Sequence, residues 1–255
     1  MQHNHVVGVE IVDEQYDNES LSKLLDLYQN PVRMNQTQSL YQGDIKIPHG
    51  NNGTSHRDLA GIPYNERLWK NDMLNGYYFI TVRISNSYTQ ATKDLIVESL
   101  RNLQWRSQVI RFKIIFRKPA NNIPYIHYVN GNDGCWSWIG QNLEEALKPQ
   151  GQIIMFEEER CSKMATIQHE MMHALGFGHE QARPDRNQYV KIIWSNVEED
   201  MKEQFKLVEE VDSLGTAYDY DSIMHYPVDA WSKNDEPTME ALNNKKIGNR
   251  LNASW

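Results

Sequence analysis

The spacing of hydrophobic residues predicts alternating strands and helices in the middle of the chain. Alternating or continuous apolar and β-branched positions predict four strands, at residues 76–84, 109–116, 125–129 and 152–156. Leucines and isoleucines at helical spacing predict a helix at residues 92–105, after the first of these strands. Strands and helices in this order predict an α+β lobe with a mixed sheet.

The two ends of the chain have weaker patterns. The first fifty-odd residues are polar and acidic, apart from residues 20–28, where four leucines can form one apolar stripe of a helix. Turn-forming residues at 48–55 predict an exposed connector and a domain boundary near it. Beyond about residue 180 the chain is expected to be mostly irregular, with a helix near residues 196–205.

Length and charge exclude several classes of protein. A chain of 255 residues can bury a substantial core and carry an appendage. Its formal net charge of −8 argues against a nucleic-acid-binding protein, which usually has a basic patch. No run approaches the roughly 18 apolar residues that a membrane span needs, so no transmembrane segment is expected. Residues 1–5 lack an apolar signal core, so an export signal was either removed or never present.

The segment from His169 to His179 has the residues that a hydrolytic zinc site requires. On a helix, His169 and His173 project from one face about a turn apart, so both imidazoles can bind one ion. Gly176 can adopt the left-handed conformation that ends the helix, which brings His179 back as a third ligand. Three protein ligands leave one position for water, as in catalytic zinc sites. Glu170 is predicted to be the general base and not a ligand.

Incidental histidines on a buried amphipathic helix are the alternative interpretation. The spacing of Gly176 and His179 disfavours it, because the longer pattern would arise by chance in only a few of roughly 100,000 chains of this composition. His127, on a predicted strand, is expected to be a packed or exposed strand residue and not a ligand.

Two motifs resemble the astacin family of zinc endopeptidases, within the metzincins. They are the run from His169 to Glu180 and the sequence Ser-Ile-Met-His-Tyr at residues 222–226. The resemblance extends from Leu68 and Trp69 to the C-terminus, through the Gly-Cys-Trp-Ser-Trp-Ile-Gly sequence that starts at residue 134. It therefore covers most of the chain.

The resemblance implies a metzincin-like catalytic domain of two lobes at residues 60–255, with a largely irregular propeptide before it. The upper lobe would span about residues 60–179 and the lower lobe about 180–255, with the substrate in the cleft between them. Val109 stands where the family usually has a cysteine of a second disulfide, and the terminal helix that carries its partner is missing. Either the chain is truncated at Trp255 or the domain is stabilised in another way.

The resemblance also implies roles for residues 224–226. Met224 matches the methionine that forms an apolar floor under the three imidazoles without binding the ion. Tyr226 matches a tyrosine that can bind the metal in the resting enzyme and hydrogen-bond the tetrahedral intermediate during turnover. His225, between them, is expected to be a hydrogen-bonded structural residue.

Two cysteines, Cys135 and Cys161, leave two alternatives open: free thiols in the cytosol or one disulfide outside it. The resemblance implies the disulfide, because the family pairs these two positions. A disulfide predicts a secreted or extracellular protein. Four N-glycosylation sequons are compatible with export but are short enough to occur by chance.

Residues 1–59 resemble an astacin propeptide. The five residues that end in Asp44 read Leu-Tyr-Gln-Gly-Asp, similar to the family's Phe-x-Gly-Asp element with Tyr41 in place of the phenylalanine. The resemblance implies that Asp44 takes the water's position on the metal until an activating protease cuts the connector. The new N-terminus would lie near Ala60, where its amine could pair with Glu180. A Gly-Asp turn in an ordinary loop is the alternative.

These observations predict a zinc-dependent endopeptidase that hydrolyses internal bonds of proteins and peptides and that is present as a latent proenzyme. The predicted zinc ligands are His169, His173 and His179, and the predicted catalytic residues are Glu170 and Tyr226. One alternative is a catalytically silent astacin-like binding protein in which the aspartate never leaves. Another is a different zincin whose third ligand is a downstream glutamate, which the spacing of the third histidine disfavours.

Overall fold

The structure, a computed structural model, describes most of the chain: residues 10–12, 42, 44–46, 68–69, 73–74, 76–120, 123–208, 213 and 215–247. The strands are β1 (Glu10–Val12), β2 (Ile45–Lys46), β3 (Met73–Leu74), β4 (Tyr77–Ile84), β5 (Ile110–Ile115), β6 (Ile126–Val129), β7 (Cys135–Trp138), β8 (Gln152–Phe156), β9 (Val190–Ile192) and β10 (Met239–Ala241). The α-helices are α1 (Gln90–Ser107), α2 (Leu143–Leu147), α3 (Glu158–Cys161) and α4 (Met164–Leu175). Short 3₁₀ helices occur at Glu180–Ala182, Arg186–Gln188 and Glu199–Phe205.

One mixed sheet organises the upper part of the molecule. Its strand order is β1-β5-β4-β6-β8-β7-β2, and β3 pairs with β4. The central strands β5, β4, β6 and β8 are parallel, whereas β7 runs antiparallel to β8. Strand β2 lies parallel to β7, with Ile45 opposite Ser137 and Lys46 opposite Trp138. Residues from the N-terminal part of the chain therefore cover the edge of the sheet that β7 would otherwise present.

The upper core lies between this sheet and the helices α1 and α4. In β4, the alternate residues Ile80, Val82 and Ile84 are buried, as a strand with one apolar face predicts. Full burial of each such side chain stabilises the fold by roughly 1.5–3 kcal/mol. Because both helices bury their apolar faces against the sheet, this packing determines where they lie. The two helices bury Ile96, Leu100, Leu103, Ile167, Met171 and Ala174.

Trp69, which lies just before β3, is bonded to the end of α4. Its side chain is buried, and its indole N–H donates to the carbonyl oxygen of Ala174 at 2.7 Å. This bond satisfies one of the last carbonyls of α4, which have no partner within the helix. It therefore holds the end of α4, where the chain turns.

The lower part of the molecule has separate cores. One of them contains Ile192, Val197, Phe205, Tyr226 and Met239. Strands β9 and β10 form an antiparallel pair that the sequence pattern did not predict. The predicted helix near residues 196–205 is the 3₁₀ helix at Glu199–Phe205.

The predicted elements of the upper lobe agree with the structure to within two residues at each end. The helix predicted at 92–105 extends over Gln90–Ser107, and the strand predicted at 152–156 is Gln152–Phe156. The apolar stripe at 20–28 and the connector at 48–55 lie outside the described residues. Among the described residues, no helix has the length and apolar character needed to cross a membrane.

Cys135 and Cys161 form the predicted disulfide, with their Cα atoms 6.1 Å apart. It joins the first residue of β7 to the last residue of α3. Because the cysteines are 26 residues apart, the chain-entropy relation gives a stabilisation of about 3.5 kcal/mol. The bond anchors β7 close to the helix that follows α3. Val109, at the position of the missing cysteine, is exposed.

His127 is a packed strand residue, as expected. It is fully buried on β6 opposite Arg83 of β4, and its Nδ1 lies 2.8 Å from the carbonyl oxygen of Gln150. That carbonyl requires a donor, so Nδ1 carries the proton. Burial, together with the charge of Arg83, lowers the pKa of His127 to about 3. The folded protein therefore keeps this imidazole neutral at mildly acidic pH.

Acid should destabilise the fold through His127. Below the unfolded-state pKa of about 6.5, the unfolded chain takes up a proton that the folded chain refuses until about pH 3, so stability falls as pH decreases through this window. Between pH 7.5 and pH 5 the loss from this residue is about 2 kcal/mol. Denaturant unfolding at both pH values, with a chelator present, measures the loss.

The matched variant is His127→Asn, which keeps an N–H donor for the carbonyl of Gln150 but does not titrate. The wild-type protein should lose about 2 kcal/mol more than the variant between the two pH values. Equal losses in the two proteins would show that His127 does not contribute to acid sensitivity.

Candidate metal centre

Helix α4 presents the first two histidines of the motif. His169 and His173 are four residues apart and fully buried, with ring centroids 4.5 Å apart. Gly176 ends the helix with a φ of 110°, a conformation that residues with a Cβ rarely adopt, and its N–H donates to the carbonyl of His173 at 2.8 Å. The chain then reverses, and His179 comes to lie beside His173 with ring centroids 4.6 Å apart.

Four side chains converge on one point. The Nε2 atom of His169 lies 3.1 Å from Oδ2 of Asp44, and the Nε2 atoms of His173 and His179 lie 3.5 Å and 3.1 Å from Oδ1. The Nε2 atoms of His173 and His179 are 3.2 Å apart. In a tetrahedral zinc site with bonds of about 2.0–2.1 Å, neighbouring ligand atoms are about 3.3 Å apart. The three imidazoles and the carboxylate therefore have the spacing and chemistry of a four-ligand zinc site.

The other ring nitrogen of each histidine has an acceptor. Nδ1 of His169 lies 2.8 Å from the carbonyl oxygen of Ile223, and Nδ1 of His173 lies 2.7 Å from that of Phe177. Nδ1 of His179 lies 2.9 Å from Oε1 of Gln42. These acceptors require the proton on Nδ1, so the lone pair of each Nε2 is directed to the shared point. The tautomers and ring orientations are thus those that metal binding needs.

The two predicted catalytic residues are both buried at this centre. Glu170 follows the first ligand on α4 and is 1% exposed. The ring of Tyr226 packs against that of His179 at 4.8 Å between centroids and against that of Phe205 at 5.9 Å. The Tyr226 hydroxyl donates a hydrogen bond to the carbonyl oxygen of Gln42. In this form of the protein the phenol therefore contacts a backbone carbonyl of residues 1–59, here called the N-terminal segment.

Residues 222–226 form a tight, mostly buried turn that contacts His169 through the carbonyl of Ile223. The N–H of Met224 donates to Oγ of Ser222 at 3.1 Å, and the carbonyl of Met224 accepts from the N–H of Glu180 at 3.0 Å. His225 is fully buried, with Nε2 2.8 Å from the Tyr218 hydroxyl and Nδ1 2.8 Å from the carbonyl of Tyr226. His225 is thus a hydrogen-bonded structural residue, as expected, and the turn is attached to the residue that follows the third ligand.

Glu180 already has partners in this form. Its carboxylate accepts from Nη1 of Arg183 at 2.9 Å and from the N–H of Asp219 at 2.9 Å. Burial raises the pKa of Glu180 above its ordinary value, and these two donors oppose that shift. Ala60, near which the resemblance places the mature N-terminus, lies outside the described residues.

The N-terminal segment lies along the edge of the sheet at this centre. The N–H of Ser137 in β7 donates to the carbonyl oxygen of Asp44 at 2.9 Å, and β2 continues the pairing. Lys46 is half-buried against Trp136 and Trp138 of β7, with its Nζ 4.5 Å and 5.4 Å from the two ring centroids. Burial lowers the pKa of Lys46, while the nearby Glu145 and Asp133 carboxylates raise it.

The structure adds three groups that the sequence interpretation did not assign to the site. They are the side chain of Gln42 and the backbone carbonyls of Phe177 and Ile223. The two carbonyls have no signal in the sequence, because every residue carries one. Gln42 precedes the Gly-Asp pair, at the position written as variable in the propeptide motif. Tyr41 and Gly43 of that motif lie outside the described residues.

The chain is similar to a known protein family, to several named proteins and to a solved structure. A family model described as Astacin, a peptidase family, matches residues 62–255. The zinc metalloproteinase nas-13 of Caenorhabditis elegans is 39% identical over 69% of this chain, and the low choriolytic enzyme of Oryzias latipes is 32% identical over 88% of it. The solved structure of high choriolytic enzyme 1, a hatching enzyme zinc-protease from Oryzias latipes, superposes with a TM-score of 0.62 at 32% identity.

These matches differ in how much of each relative they cover. The chain spans 37% of the length of nas-13 and 77% of the low choriolytic enzyme. It covers 90% of the solved choriolytic enzyme, and 74% of the chain takes part in that superposition. The family match includes α4 and the histidine motif, which both lie within residues 62–255.

Proposed function

The chain belongs to the astacin family of zinc peptidases, and from that premise we propose that it is the latent form of an endopeptidase that hydrolyses internal peptide bonds of proteins. The proposal has residues 1–59 as a propeptide and residues 60–255 as the catalytic domain. One observation carries it: Asp44 comes from outside the matched region and meets all three histidines at 3.1–3.5 Å.

The donor set fits zinc and would hold it through Nε2 of the three histidines and one carboxylate oxygen of Asp44. Imidazole nitrogen and carboxylate oxygen are both ordinary zinc ligands, and four of them complete a tetrahedral site. Zinc, when bound, supplies a Lewis acid that polarises a carbonyl oxygen and lowers the pKa of water. With Asp44 in the fourth position there is no place for water, so this form is expected to be inactive.

Glu170 is the proposed general base. It is buried beside the first ligand, where it can take a proton from the attacking water and deliver it to the leaving amine. Tyr226 is the proposed oxyanion donor, since its hydroxyl already donates to a carbonyl beside the ligands. Met224 is the proposed apolar floor under the ligands, and its burial in the turn supports this role.

The substrate is proposed to add as a strand to β7. When β2 leaves, one edge of β7 becomes free. The main chain of an extended peptide can pair with such an edge. The N–H of Ser137, which now donates to the Asp44 carbonyl at 2.9 Å, is one group that becomes available to the substrate. The Cys135–Cys161 disulfide holds β7 in place for this purpose.

Activation is proposed to require a protease that cuts between the two parts of the chain. A tethered ligand has an effective concentration on the order of millimolar, so Asp44 keeps its place until the tether is cut. The amine freed near Ala60 is proposed to join Glu180 and to share it with Arg183, which now donates to it at 2.9 Å. The disulfide supports export to an oxidising compartment.

Replacing Asp44 with alanine should raise the peptidase activity of the uncut chain roughly 10- to 100-fold. The reason is that a contact to a charged group contributes roughly 1.5–3 kcal/mol, and losing it favours the open cleft by that amount. A fluorogenic peptide assay on uncut wild-type and variant protein measures the difference. Limited trypsin digestion should bring both proteins to the same higher activity, which a chelator should abolish.

The matched control is Asp229→Asn, which removes one negative charge from an exposed surface aspartate. This variant should stay as latent as the wild type. An Asp44→Ala chain as inactive as the wild type before cutting would reject the latency mechanism. A cut wild-type chain that binds zinc but cleaves no peptide would instead favour the silent binding protein.

A further inference from the structure

Lys46 packs against two tryptophan rings, a contact that metal binding does not explain. Its ammonium is 4.5 Å from the ring centroid of Trp136 and 5.4 Å from that of Trp138. Both distances are within the range of cation–π attraction, which extends to about 6 Å from a ring centroid. Two indoles around one ammonium make a stronger and more selective contact than one.

Two carboxylates also interact with the Lys46 ammonium. Burial lowers the pKa of Lys46 and the Lys148 charge acts in the same direction, whereas the carboxylates of Glu145 and Asp133 favour the charged ammonium. Asp133 also accepts from the indole N–H of Trp136 at 3.3 Å, which fixes that ring. Trp136, Trp138, Asp133 and Glu145, here called the Trp136 clamp, therefore have the shape and charge of a site for a basic side chain.

The clamp belongs to the domain that remains after the N-terminal segment leaves. All four of its residues lie within the matched region at residues 62–255, whereas Lys46 does not. Two of them are on β7, the strand against which a substrate would pair. The clamp would then be open to the solvent and to the substrate.

The position of the clamp along the cleft follows from strand geometry. Asp44 is at the metal centre, where its carbonyl accepts from the N–H of Ser137, and Lys46 is two residues further along the chain, in β2 opposite Trp138. Side chains two residues apart on a strand point to the same face, about 6.5–7 Å from each other. A substrate strand on β7 that puts its scissile bond at the metal would thus place a side chain of its own in the clamp.

We infer that the Trp136 clamp is a substrate subsite for a lysine or arginine side chain about two residues from the scissile bond. The inference rests on the proposed function, since it requires Lys46 to leave with the N-terminal segment. Lys46 then acts as a stand-in for the basic residue of the substrate. Cleavage is expected to be selective for proteins with exposed basic residues.

The test uses trypsin-activated protein, with residual trypsin inhibited, and pairs of fluorogenic peptides. The two peptides of each pair carry lysine or its neutral isostere norleucine at one of the three positions on either side of the cleaved bond. At one position the lysine peptide should have a kcat/KM about 5- to 30-fold higher, the range expected for a desolvated cation–π contact. Trp138→Leu removes one of the two rings and should lower that ratio several-fold, and Trp138→Phe should keep more of it.

Two neighbouring glutamates on α2, Glu144 and Glu145, provide the matched control. Glu145→Gln removes a carboxylate of the clamp and should lower the lysine-to-norleucine ratio about 2- to 5-fold. Glu144→Gln removes the neighbouring carboxylate, whose side chain is 84% exposed to water, and it should leave the ratio unchanged. Each variant removes a carboxylate that pairs with Lys148, Glu144 at 3.7 Å and Glu145 at 2.7 Å. A different lysine-to-norleucine ratio in the two variants is therefore not explained by loss of pairing with Lys148 alone.

Two results separate this inference from the proposed function. An activated enzyme that cleaves both peptides of every pair equally well overturns the subsite and leaves the peptidase intact. If nothing is cleaved, the peptidase proposal fails, and binding of the same peptides to the activated protein by calorimetry still measures the ratio. Equal affinities at all positions would then overturn the subsite as well.

Discussion

Replacing Glu170 with glutamine should lower kcat of the activated protein by roughly 10²- to 10⁴-fold, the range that a positioned general base contributes. Zinc content should stay unchanged, since the ligands that remain after Asp44 leaves are the three histidines and not Glu170. Metal analysis and peptide turnover on the same sample measure both quantities. The two results together distinguish a base from a ligand.

The change from carboxylate to amide is nearly isosteric, which matters because Glu170 is 1% exposed. A larger change at a buried position would combine loss of the base with a packing defect. A variant with full zinc, a normal unfolding transition and normal turnover would remove Glu170 from the mechanism. A variant that lost zinc would show that the carboxylate supports the metal site itself.

The sequence predicted the zinc helix and its ligands because helix geometry alone relates the spacing to the function. Residues four apart share a face, so His169 and His173 could be assigned to one ion without knowledge of the fold. The third histidine followed from Gly176, whose φ of 110° is the conformation on which the prediction depended. Asp44 required the family resemblance, since 125 residues separate it from His169.

The strands that line the cleft were harder to predict. Strand β7 has four residues, Cys-Trp-Ser-Trp, and its pairing with β8 and β2 is a long-range property that no local pattern reports. Strands β9 and β10 have three residues each, which is shorter than a periodic pattern can identify. The Trp136 clamp depends on β7 and α2 coming together and so could not be found from spacing.

The acceptors that orient the histidines could not be predicted for a different reason. Ile223 and Phe177 contribute backbone carbonyls, and their position depends on how the turn at residues 222–226 and the end of α4 are folded. Gln42 contributes a side chain, but only the folded structure shows that it reaches His179 at 2.9 Å. Local sequence thus predicts the histidine ligands, while tertiary structure determines which nitrogen of each histidine faces the point where the side chains converge.

Replacing Tyr226 with phenylalanine should have opposite effects on the two forms of the protein. In the activated form kcat should fall roughly 10²- to 10³-fold with KM nearly unchanged, as for loss of one oxyanion donor. In the uncut form the variant loses the hydrogen bond to the carbonyl of Gln42, so the N-terminal segment should be held less tightly. Its residual activity, as a fraction of that of the activated variant, should rise several-fold, by roughly the 0.5–1.5 kcal/mol of one hydrogen bond.

Tyr218→Phe is the matched control, since it also removes one buried phenolic hydroxyl. That hydroxyl contacts Nε2 of His225 at 2.8 Å, within the catalytic domain, so the variant should lose stability without changing the ratio of uncut to activated turnover. The ring at position 226 keeps its contacts to His179 and Phe205 in the phenylalanine variant, so a packing defect is not expected. If Tyr226→Phe lowered both activities equally, the hydroxyl would not hold the N-terminal segment. If neither activity changed, the phenol would have no part in catalysis or in latency.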